Sequence, residues 1–92
     1  MIVRILGEGQ LDVADGELDA LNDLDQQLLS AVEAGDEGAF RGALDELLSR
    51  VRQIGQPVPD DRLIASDLVL PPVDADLEEV RTLIGDEGLI PG

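Results

Sequence analysis

Cysteine, lysine, histidine, tryptophan and tyrosine are all missing from this 92-residue chain, and phenylalanine occurs once, at Phe40. Each absence excludes some chemistry. Without cysteine there is no disulfide framework, zinc-thiolate site or thiol nucleophile, so packing alone must hold the fold. General acid–base catalysis draws on His, Lys, Tyr or a tuned carboxylate, and of these only carboxylates are present. Ser30, Ser49 and Ser66 have no histidine to activate them. Paired carboxylates can hydrolyse glycosides, but they need a cleft and usually aromatic platforms. The chain therefore reads as a non-enzyme with no cofactor. A long apolar run is missing too. "MIVRILGEG" is too short for a signal peptide or a membrane span, which makes the cytoplasm the expected location.

What is abundant is acid. Twenty-one Asp and Glu oppose six arginines, for a formal net charge of −15. So much charge on a poorly hydrophobic chain would mean disorder. Here 43% of residues are hydrophobic, and the aliphatic ones recur at regular spacing, so a folded domain is expected. A nucleic-acid partner is excluded, because phosphate binding needs a basic footprint. The same sign disfavours direct docking on anionic lipid. Solubility, a salty cytoplasm and steering of a basic protein partner each remain a reading of the charge.

One domain spanning 1–92 is expected from the length. "IVRIL" (2–6) and "QLDVA" (10–14) alternate across a loop containing Gly7 and Gly9, which predicts a β-hairpin. Leu18, Leu21, Leu24, Leu28 and Val32 follow one face of a helix over 16–34, with Asp15 as its N-cap. Gly35 suits a left-handed C-terminal position, and Asp36 can cap the next helix. That helix, 37–54, carries Phe40, Leu44, Leu47, Leu48, Val51 and Ile54 on one stripe. The loop is short, so the two helices form an antiparallel hairpin. Arg41, Arg50 and Arg52 sit on this second helix between two acidic regions and can offset repulsion from both. Glu46 and Arg50 form a favourable i,i+4 pair.

Gly55 ends the second helix, and "QPVPDD" excludes regular helix over 57–59. "RLIASDLVL" (62–70) fits either a short strand or an extended crossing segment. Pro71-Pro72 then lead to a third helix over 75–84, capped by Asp74 or Asp76, with Leu77, Val80 and Ile84 on one face. "GDEGLIPG" is an irregular tail with one apolar pair, Leu89-Ile90. The fold class is α+β: an N-terminal β-hairpin, an antiparallel helical hairpin, a proline-rich connector and a short C-terminal helix.

Clustered acids at 60–61 and 74–79 offer oxygen ligands of the kind calcium takes. No window fits the EF-hand pattern, and acids at the start of a helix explain 74–79 without a metal. No metal site is expected. Interaction surfaces remain. Leu28-Leu29 and Leu47-Leu48 put adjacent leucines on each helix, so that one of each pair can face a partner. Leu29 and Leu48 are the candidates there, joined by Asp19 and Asp23 on the acidic first helix. Leu68, Val69 and Leu70 are further candidates. Their first reading is a structural staple, with Leu68 and Leu70 pinned to the core, and their second is a partner-contacting segment.

Taken in order, "MIVRILGEGQLDV", the acidic helical hairpin, "SDLVLPP", "DADLEEVR" and the closing "DEGLIPG" resemble the PspA-associated domain family, PspAA, over the whole chain. The end segments are the more specific pieces. The resemblance implies a non-enzymatic accessory of the phage-shock or envelope-stress response that binds or regulates a PspA-like coiled-coil protein. It implies no catalytic residue. Cytoplasmic location, with recruitment to the inner face of the membrane through the partner, follows from the same resemblance. The alternative is a self-associating structural domain, a homodimer through the hairpin edge or the helical stripe.

Overall fold

The structure, a computed structural model, describes residues 1–59 and 64–84. The acids at 60–61, Arg62 and the tail from 85, with Leu89-Ile90, lie outside the described residues.

The hairpin forms as the alternation predicts. β1 (Ile2–Ile5) pairs antiparallel with β2 (Gly9–Asp12), matching Val3 with Leu11 and Arg4 with Gln10. The turn is residues 6–8 rather than 7–9. Glu8 N–H closes it on the Ile5 carbonyl at 2.9 Å. Gly7 (φ 86°) and Gly9 (φ 121°) take backbone angles that side chains resist. A 3-10 turn at Asp15–Glu17 leads into α1 (Leu18–Ala34). Asp15 does not cap this helix. Its carboxylate faces the Met1 amino group at 3.5 Å, and the N-cap position, Glu17, makes no side-chain cap bond. Gly35 ends α1 in the left-handed conformation (φ 68°), and Asp36 Oδ1 accepts from Ala39 N–H at 3.1 Å to start α2 (Glu37–Ile54).

The region after α2 departs most from expectation. Among the described residues no proline-rich connector is seen as a unit. Its ends are strands instead: β3 (Gln56–Pro57), antiparallel to β2, and β4 (Leu68–Leu70), parallel to β1. The hairpin thus becomes the centre of a four-stranded sheet ordered β3-β2-β1-β4. A lone hairpin is marginal in water, and two flanking strands plus helices are what stabilise this one. α3 (Leu77–Ile84) follows, with Asp76 Oδ1 accepting from Glu79 N–H at 2.8 Å as its cap.

The helices cover one face of the sheet. Val3, Ile5, Val13, Leu68 and Leu70 from the sheet side join Leu21, Leu28, Phe40, Leu44, Leu47, Leu48, Val51 and Val80 in one core, all 7% exposed or less. α1 packs chiefly on α2, and α3 on α1. Gly55 follows α2 directly where the chain drops onto β2. A Cβ there would lie 2.8 Å from both Leu11 Cβ and the Val51 carbonyl oxygen.

Candidate interaction surfaces

The segment "SDLVLPPVDADLEEV" is held by polar contacts from both the sheet and the helices. Gln10, on β2, points away from the helices and donates to the Ile64 carbonyl (2.7 Å) and to Ser66 Oγ (2.8 Å). Asp67 grips β1 twice: its N–H donates to the Ile2 carbonyl, and its carboxylate accepts from Ile2 N–H, both at 2.8 Å. Arg41 reaches from α2 to the carbonyls of Val73 (2.6 Å) and Ala75 (2.8 Å), fixing the turn before α3. Arg81 donates to the Val32 carbonyl at 3.0 Å, where a cation also complements the C-terminal end of the α1 dipole. Sequence reasoning missed these clamps. Their signal was present but general: small polar residues flank a short apolar run, and isolated arginines lie among many acids.

The remaining arginines of α2 behave as their position between acidic regions predicts. Arg50 sits 3.9 Å from Glu17, and not in the expected pair with Glu46. Arg52 donates through Nε to Glu8 Oε1 at 2.8 Å and through a second nitrogen to Oε2. This two-pronged hydrogen bond holds the Glu8 carboxyl below the ordinary glutamate range, against a smaller upward push from burial, and raises Arg52 in turn. Because the folded pKa is depressed, the pair's contribution is complete above the unfolded value near 4.5 and is lost as pH falls through the folded one. Both side chains are more than a third exposed, so the contribution is at most about 1 kcal/mol. Wild type and Glu8→Gln should therefore differ in urea midpoint at pH 7 and converge as the pH falls well below the ordinary glutamate range. A gap that is unchanged or wider in acid would contradict the assignment.

The residues singled out as partner contacts do not form one patch. Leu29, Leu48, Leu68 and Leu70 lie in the single core. Val69 points to the opposite side of the sheet and is 46% exposed. Asp19 and Asp23 are exposed on α1 and make no ion pair among the described residues. The adjacent leucines of both helices are all taken up by the single core. Both surfaces expected to serve a homodimer are thereby occupied: the hairpin has strands on both flanks, and the helical stripe is inside. Among the described residues no group of three or more acids is placed to hold a metal, and no helix is long and apolar enough to cross a membrane.

The α+β architecture and the end motifs agree with one comparison. The family model described as PspA-Associated protein, PspAA, matches residues 1–92, the entire chain. The chain belongs to the PspAA family. No curated protein and no solved structure matches it. Membership links this chain to PspA and gives it an accessory role, and it also gives the fold a reading. In this PspAA chain the segments that carry the resemblance, "MIVRI" and "SDLVLPP", are the two parallel strands β1 and β4 and the Asp67 clamp between them.

Proposed function

We propose that this PspAA protein is a non-enzymatic adaptor that binds a PspA-like coiled-coil protein within an envelope-stress response, acting in the cytoplasm and reaching the membrane through that partner. The family match over the whole chain is the observation that carries the reading. The charge arrangement supports it. Arg41 and Arg81 bind backbone carbonyls, and Arg50 and Arg52 bind acids of the same chain. Most of the positive charge is thus used internally, which leaves α1 to present Asp19 and Asp23 uncompensated to a basic surface. Such a field raises the rate of encounter more than it raises final affinity.

The test is association kinetics with the PspA-type protein of the same genome. Asp19→Asn combined with Asp23→Asn should slow association a few-fold at low salt, with little change in dissociation. The difference should vanish near molar salt, where the screening length falls to about 3 Å. Equal association rates for wild type and variant at low salt would remove α1 from the encounter surface.

A further inference from the structure

Opposite the helices, the sheet presents the residues that alternate outward: Ile2, Arg4 and Leu6 along and just past β1, Gln10 and Asp12 on β2, and Val69 on β4. The register aligns Gln10, Arg4 and Val69 in one row across three strands. Leu6 is 39% exposed and Val69 46%, and Gln10 ties the backbone of Ile64, itself 36% exposed, to the same side. Scattered exposed aliphatics mean little, but a group of them on one face marks a contact surface.

Charge distinguishes this face among the described residues. Arg41, Arg50, Arg52 and Arg81 are all engaged, as described above. The Arg4 side chain is exposed and, among the described residues, has no hydrogen-bond or ion-pair partner. Two carboxylates of the neighbouring strands are turned to other groups: Asp12 to the Met1 amino group at 3.7 Å, Asp67 to Ile2 N–H at 2.8 Å. A guanidinium flanked by Ile2 and Leu6 along its strand and by Gln10 and Val69 across it, on a chain of net charge −15, suits a carboxylate beside an apolar stripe.

We propose that this outer sheet face docks an amphipathic helix of the partner, whose aliphatic stripe lies on Leu6, Ile64 and Val69 and whose flanking carboxylate pairs with Arg4. The inference rests on the adaptor reading above and adds the surface that makes the short-range contact. Other occupants fit poorly. A second copy would set two strongly acidic chains together and, in a two-fold pairing, arginine against arginine. An added strand finds little edge: Leu68 and Leu70 direct their backbone to β1, so Val69 alone faces outward within β4, and Pro71 has no N–H to offer. Pro57 blunts the other edge in the same way.

Binding kinetics of the full chain with the PspA-type protein test this, using Arg4→Glu, Arg4→Gln and Val69→Thr, each with its melting midpoint measured. Arg4→Glu makes the chain more acidic, so any electrostatic steering should leave its association rate unchanged or faster. The proposal predicts dissociation accelerated about tenfold or more, with Arg4→Gln and Val69→Thr intermediate and all midpoints near wild type. Variants that fold and dissociate like wild type would overturn the docking face while leaving the adaptor reading standing. Failure of the wild-type chain to bind at all would overturn that reading, and the docking face with it.

Discussion

Leu47→Ala should lower the unfolding free energy by about 2–5 kcal/mol. Leu47 is fully buried on α2, in the core that also contains Val3, Ile5 and Leu70 of the sheet. Truncation removes the transfer free energy of its side chain and leaves a cavity that the surrounding groups close only in part. Domains of this size have about 5–15 kcal/mol in total, so the loss is a large fraction of the whole. With no disulfide to limit the unfolded state, nothing else compensates. Urea unfolding followed by circular dichroism would measure it, with a lower midpoint at a similar slope. An unchanged midpoint would mean that the apolar stripe of α2 faces elsewhere.

The second large effect is expected at Gly55, and its sign is informative. Gly55 has φ −87° and ψ 149°, a conformation open to any residue. On conformational entropy alone, Gly→Ala there should stabilise by about 0.4–1 kcal/mol. Space opposes this. The new Cβ would meet Leu11 Cβ and the Val51 carbonyl oxygen, each at 2.8 Å, a separation that real Cβ atoms essentially never show. Val51 is part of the helix and Leu11 part of β2, so relief requires moving α2 away from the sheet. Gly55→Ala should therefore destabilise by about 1–3 kcal/mol, the usual cost of overpacking. A stabilised variant would show that α2 does not descend so closely onto β2.

α2 was legible in the sequence from its first residue to its last. Phe40, Leu44, Leu47, Leu48 and Val51 repeat with helical period, and Asp36 and Gly55 mark its limits through local chemistry. β1, β2 and α3 were legible for the same reason. β3 and β4 were not. Two residues ending in a proline and three residues before a double proline are too short for any periodicity to register. Their pairing is also non-local: Asp67 finds Ile2 across most of the chain. At the candidate surfaces, Leu29 and Leu48 read as spare from the helical pattern, and both lie in the single core. Val69 was singled out together with Leu68 and Leu70, and strand alternation separates it from them: the two leucines face the core and the valine faces solvent. Arg4 drew no attention because a lone arginine in a strand is ordinary. Its significance depends on what Arg41, Arg50, Arg52 and Arg81 do, and that is visible only once they are placed.

The central claim is that this chain is an acidic adaptor for a PspA-type protein, and size-exclusion chromatography with light scattering tests it most directly. The chain would be run alone and mixed with the PspA-type protein of its own genome, at low and at near-molar salt. The account predicts a monomer alone at both salts, its hairpin and helical stripe being occupied within one chain, and co-elution in the mixture that weakens as salt rises. Separate elution of the two proteins, with this chain forming a salt-insensitive dimer, would contradict it and put self-association in its place.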